Sequence, residues 1–250
     1  MSRTQRVDRT AVRTRLDRVT DPELDRSITE LEYIDEIEIE GESVAVSFTL
    51  PTAWCSPAFA WMMMTDARDA ILEIPEITDV AVDLRDHMHA AEINEGVNER
   101  LSFDAVFDDA DGDIEAVREE LDEKARAARQ YRAVSALLDG GATPEQIVGL
   151  VRKDLTIDSE GRTTVRLDET LSICIESEPI ERYLEKATAT GVANGTDAGL
   201  FVTPEGETIS PSEFETVHRR GRLAATNMSG QGHVCANLAE ARIGSASASD

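Results

Sequence analysis

The hydrophobic positions change period several times along the chain, and each change predicts an element. Val12, Leu16 and Val19 fall at helical spacing, which predicts a short helix over residues 8–19. It ends at Thr20-Asp21-Pro22-Glu23, because a residue before proline resists the helical region. Ile37 and Ile39 then alternate with Glu36, Glu38 and Glu40, and Val44, Val46, Phe48 and Leu50 alternate with small or polar residues. With Gly41-Glu42 between them, the two runs read as a β-hairpin. Helical spacing returns from Pro57 to about Leu72, and Val80, Val82 and Leu84 mark a third strand. Helix, hairpin, helix and strand make a small α/β layer.

A different pattern follows. Residues 107–112 are acidic and contain glycine, which predicts a linker between domains at 1–106 and 113–250. Ile114, Val117, Leu121, Ala125, Ala128, Tyr131, Val134 and Leu138 stripe one long helix that Gly140-Gly141 stops. Thr143-Pro144-Glu145-Gln146 reads as a helix start, with threonine at the N-cap and glutamine at the third position. A short hairpin is expected from residues 155–157 and 163–167, and helices over 178–189 and 211–225. A strand and turn are expected near 200–207, and a separate short helix ending near Ile243. The fold class is therefore α+β: the small α/β layer, then a mainly helical domain with a short hairpin.

Charge narrows the setting. Fifty Asp and Glu stand against 25 Lys and Arg, a net charge of −25, and only Lys124, Lys153 and Lys186 are lysines. The acid is spread through every segment. An acidic coat over a core of ordinary hydrophobic content implies a protein that works in concentrated salt, where self-repulsion is screened. It argues against nucleic-acid binding, which needs a basic footprint. No apolar run reaches the length of a membrane span, and residues 1–16 lack the apolar core of a signal peptide. A halophilic, cytoplasmic protein with reduced thiols is expected.

The candidate chemistry gathers at Thr52-Ala53-Trp54-Cys55-Ser56-Pro57, a strand-to-helix loop. Ser56 is placed to cap the helix and Pro57 to open it. Cys55 would then lie at the positive end of a helix, which favours a thiolate, both a nucleophile and a soft metal ligand. Asp21 and Glu23 read as turn chemistry. His87 and His89, one residue apart in the tail of the third strand, could share a metal with Cys55 or Asp86, or simply face solvent. In the second half Cys174, His218, His233 and Cys235 are the soft-ligand candidates, although His-x-Cys is too loose for a signature. Phe59, Trp61, Met62, Met63 and Met64 give the helix after Cys55 more apolar surface than one face needs, either for burial or for a partner.

Asp21-Pro22-Glu23 after the first helix, the acidic hairpin, Thr52-x-x-Cys55 before the second helix and the Val80-x-Val82-x-Leu84 strand together resemble the MIP18 family, also called DUF59, over residues 8 to about 100. That family includes the SufT-like and PaaD-like proteins. The resemblance implies a metal-binding accessory factor for iron–sulfur cluster assembly, without catalytic turnover. Cys55 would be the cluster or iron ligand, with Asp21, Glu23 and Thr52 in support. The iron–sulfur cluster or iron would be held transiently, and the partners would be client apo-proteins and other cluster assembly proteins. One loop cysteine supplies one thiolate, so further ligands would come from a homodimer, His87 and His89, Cys174 or Cys235, or an external thiol. Two other readings stay open: a cysteine enzyme with Cys55 as nucleophile and His87 or His89 as base, and a docking adaptor without cluster chemistry.

Overall fold

In the computed structural model, residues 7–107, 113–192 and 195–246 are described. Most of the predicted linker, 108–112, lies outside them. The chain divides into two compact units, one of Met1–Val117 with Met228–Asp250 and one of Arg118–Asn227. The sequence reading placed residues 228–250 in the second domain; they group instead with the first unit.

The first unit is an α/β layer in the expected order. Helix α1 (Arg9–Leu16) is capped by Asp8, whose carboxylate accepts from the Ala11 N–H, and it buries Val12 and Leu16. Two short strands, β1 (Thr20–Asp21) and β2 (Arg26–Ser27), close a small loop. Strands β3 (Ile34–Glu40) and β4 (Ser43–Thr49) form the hairpin, with the ladder irregular between Ile34 and Glu36. Helix α2 (Pro57–Leu72) crosses over to β5 (Asp79–Arg85), which lies parallel to β4. A parallel neighbour requires such a crossover, and the crossover helix is buried against the sheet. That accounts for Trp61, Met62, Met63 and Met64, all at most 6% exposed, and removes them as a partner surface.

Helix α3 (Ala90–Asn98) protects the open edge of β5. Asn94 bonds both backbone groups of Leu84, and Asn98 both of Val82, at 2.7–3.1 Å. Four helical residues advance about 6 Å and two strand residues about 6.6 Å, so the amides stay in step with the edge they cover. Gly96 lies inside this helix. A Cβ there would meet the Trp61 ring at 2.5 Å, so the glycine serves close packing. A short α4 (Phe103–Val106) follows.

The second unit contains most of α5 (Ile114–Asp139), α6 (Pro144–Val148) with the full Thr143/Gln146 capping box, and α7 (Glu178–Ala189). Its sheet joins β6 (Leu155–Ile157), β7 (Arg162–Arg166) and β8 (Ser172–Glu176) in an antiparallel meander. The expected hairpin thus gains a third strand, and Cys174 sits on it. The two terminal helices expected from the sequence are one, α8 (Phe214–Ala246), running through Gly230 and Gly232. Each helical glycine costs only about 1 kcal/mol relative to alanine, too little to break a helix supported on both sides.

Candidate functional site

The loop from β4 to α2 leaves the carboxyl end of a strand beside a parallel neighbour, where open α/β sheets place their ligands. Thr52 shapes it: its carbonyl accepts from the Cys55 N–H at 3.4 Å and its hydroxyl from the Trp54 N–H at 3.2 Å. Trp54 is left 75% exposed, and Cys55 turns inward against the core. Ser56 is the residue before the helix, but its side chain makes no capping bond, contrary to the sequence reading.

A second loop braces the first. Asp86 adopts a left-handed conformation (φ 52°) at the end of β5, which aspartate tolerates better than most residues. The chain then turns so that the buried His87 places Nε2 2.9 Å from the Cys55 carbonyl oxygen. The His89 N–H donates to Nδ1 at 3.2 Å, so the ring fits as the Nε2–H tautomer and both nitrogens are engaged. Met88 N–H donates to the Ala53 carbonyl at 3.1 Å and leaves its side chain 52% exposed. His89 meets Phe107 edge-on at 5.6 Å and lies 4.0 Å from Glu92. The rings of His87 and His89 lie with centroids 6.2 Å apart, tilted by 50°.

Asp21 is both turn and site. One carboxylate oxygen accepts from the Glu23 and Leu24 N–H groups at 2.9 and 3.0 Å, and the other from the Tyr33 hydroxyl at 3.2 Å. Burial raises its pKa above the usual carboxylate value, against those hydrogen bonds. Burial first, then Asp21 and the two cysteines, raise that of Tyr33. Cys55 responds in the same direction. Burial, then the charges of Asp21 and Glu23, push its thiol up to about 12, opposed by the Ser56 N–H. The expected thiolate is therefore a thiol in this environment. A helix N-terminus contributes about 0.3–1 kcal/mol, less than one pKa unit, and loses to burial beside two carboxylates.

The remaining candidates separate. Cys235 and His233 belong to the part of α8 that groups with the first unit. Cys235 is half-buried, and burial with Asp21 and Glu23 raises its pKa; His233 is exposed. Cys174 and His218 belong to the second unit. Cys174 is exposed and accepts from Arg162 Nε at 3.1 Å. His218 stacks on Phe214 and packs on Tyr131, and burial lowers its pKa. Among the described residues no three His, Cys, Asp or Glu side chains stand as a ready metal cage. The Tyr33 hydroxyl and His87 as a loop brace were missed; tertiary hydrogen bonds leave no periodic trace in a sequence.

Residues 9–84, from α1 almost to the end of β5, match the family described as iron-sulfur cluster assembly protein. That match supports the family the segment's motifs resemble, and it indicates iron–sulfur cluster assembly in general. The family is one of assembly factors that work with other cluster-assembly proteins. No curated protein matches the chain significantly, and no solved structure does. No helix among the described residues is long and apolar enough to cross a membrane.

Proposed function

We propose that the chain takes up iron or an iron–sulfur cluster at Cys55 and passes it to client apo-proteins, with no turnover of its own. The observation that carries this reading is the placement of Cys55: inside the matched segment, at the carboxyl end of β4, on a loop braced by His87 and faced by Asp21. A buried thiol beside carboxylates stays protonated and unreactive without cargo. A cation displaces the proton to solvent, and the carboxylates that opposed the thiolate then favour the metal. Trp54 and Met88, exposed beside Cys55, give a client an apolar foothold next to the cargo.

The cysteine-enzyme reading is weaker. His87 spends Nε2 on the Cys55 carbonyl and Nδ1 on the His89 N–H, so it has no nitrogen for the thiol, and a pKa near 12 suits no nucleophile at neutral pH. The acidic coat supports a salt-rich cytoplasm as the working place.

Anaerobic reconstitution with iron and sulfide, followed by transfer to an apo-ferredoxin, tests the proposal. Cys55→Ser is nearly isosteric but offers a harder, far less acidic ligand, so transfer is expected to fall to background with the fold intact. Transfer by Cys55→Ser equal to wild type would leave only a docking adaptor.

A further inference from the structure

We infer that Cys235 supplies a second thiolate to the Cys55 site, from the same chain, so that cargo is gripped between the strand-to-helix loop and the end of α8. The inference rests on Cys55 being the cargo ligand. Both cysteines belong to the first compact unit.

The placement follows from the helix. Met228, Gln231, Gly232 and Cys235 are spaced i, i+3, i+4 and i+7 and so share one face of α8. Met228 is buried to 2% exposure. Gln231 Nε2 donates to Glu23 Oε1 at 2.9 Å, and a Cβ on Gly232 would come within 4.0 Å of Leu24. The face is thus laid on the Asp21–Leu24 turn, and Cys235 lies one turn beyond Gln231 on it. Asp21 and Glu23 lie close enough to act electrostatically on both thiols, Cys235 acts on Cys55, and both cysteines act on Tyr33. Gln231 Oε1 is buried without a hydrogen-bond partner, an acceptor left for a cation or a metal-bound water.

Two thiols beside two carboxylates suit iron or another thiophilic divalent ion. Binding one such ion releases two protons to solvent and forms two metal–sulfur bonds, with no change of oxidation state. Structural sites of thiophilic metals use four protein ligands. A pair leaves coordination positions for the client's own cysteines, which suits a carrier that must let go.

Cobalt(II) tests this on the full-length chain, anaerobically, through the thiolate-to-cobalt charge-transfer band. Losing either Cys55 or Cys235 to serine is expected to cut the band by about half, one thiolate of two. Affinity should weaken by at least about tenfold, since even outer partners of a metal ligand are worth that much. Cys174→Ser should match wild type. A wild-type band in Cys235→Ser with a reduced one in Cys55→Ser overturns the pairing and leaves Cys55 standing. Wild-type bands in both remove the Cys55 reading as well. Should Cys235→Ser lose its helical circular dichroism, phenylarsine oxide on the wild-type chain decides. One arsenic joins two thiols with loss of one water, and peptide mapping should find Cys55 and Cys235 bridged. Arsenic on any other pair, or on none, refutes the inference.

Discussion

Cys55 and Cys174 each belong to a unit that packs helices with a three-stranded sheet, yet they inhabit different chemistry. The sheet β3-β4-β5 contains a parallel pair, and a parallel pair needs a crossover. The crossover creates a loop long enough to carry Thr52 to Ser56 and a second loop, 86–89, to brace it. The sheet β6-β7-β8 is an antiparallel meander whose turns are held locally, by Asp158 accepting from the Glu160 and Arg162 N–H groups and Asp168 from the Thr170 and Leu171 N–H groups. Tight turns leave no place for a sheltered side chain, and Cys174 stands mid-strand on the exposed face. Connection type, more than residue type, separates a candidate site from a surface thiol.

The largest test of that contrast is thiol reactivity. With its thiol pushed up to about 12 from an ordinary 9.0, Cys55 should alkylate about a thousandfold more slowly than an ordinary cysteine at neutral pH. Its rate should climb about tenfold per pH unit without levelling near 9. Iodoacetamide labelling read by mass spectrometry measures this, and exposed Cys174 should label before Cys55. The folded chain holds the Cys55 proton more tightly than the unfolded chain. This contribution to stability is therefore complete below pH 9 and lost as pH rises from 9 towards 12. Rapid labelling of native Cys55 at neutral pH would dissolve the contrast.

Much of the frame behind the contrast could be read from residues alone. Alternation marks β3, β4 and β5 because each sets its apolar side chains on one face, and the strand-to-helix switch exposes the Cys55 loop. β8 alternates as well, in Ser172-Ile173-Cys174-Ile175-Glu176, but over five residues with only two isoleucines the signal is too short to mark a strand. α8 is longer than local pattern suggests, because the turns that flank Gly230 and Gly232 carry the helix through. The protonation state of Cys55 was not legible. It depends first on burial and then on Asp21 and Glu23, more than thirty residues away, and local sequence offers only the opposing influence of the helix end.

The next test compares close packing in the two units. Gly96→Ala drives a Cβ to 2.5 Å from the Trp61 ring and 2.7 Å from Val106, and a buried indole wedged against Phe103 cannot step aside. The change should cost about 1–3 kcal/mol in urea unfolding, against a helix-propensity gain of about 1 kcal/mol. Gly140→Ala meets the Ile175 γ-methyl at 2.8 Å and the Ile173 δ-methyl at 3.2 Å, but at an exposed position with no ring in the way, and should cost less. Equal losses would show that the α3–α2 contact is no tighter than its counterpart.

Salt should act on both units alike, since the acid is spread through every segment. Between dilute and molar potassium chloride the Debye length shrinks from about 10 Å to about 3 Å, and the melting temperature should rise by several degrees or more. If unfolding occurs in two steps, both should move. A melting temperature indifferent to salt would remove the halophilic reading.

The smallest expected effect separates the causes acting on Cys55. Asp21→Asn keeps the shape of the side chain, and its amide oxygen can still accept from the Glu23 and Leu24 N–H groups. The new NH₂ can donate to the Tyr33 oxygen in place of the bond that Asp21 accepted. What disappears is one negative charge. Burial is the leading cause of the Cys55 shift and is untouched, so the thiol should fall only part of the way towards its ordinary value. Labelling of Cys55 at fixed pH should accelerate by about tenfold or less, the worth of one pKa unit, against the thousandfold that separates it from a free thiol. Cys174, in the other unit, should not respond. Full recovery of ordinary reactivity in Asp21→Asn would make the carboxylate, not burial, the dominant control on this thiol, and the shelter of the crossover loop would then count for little.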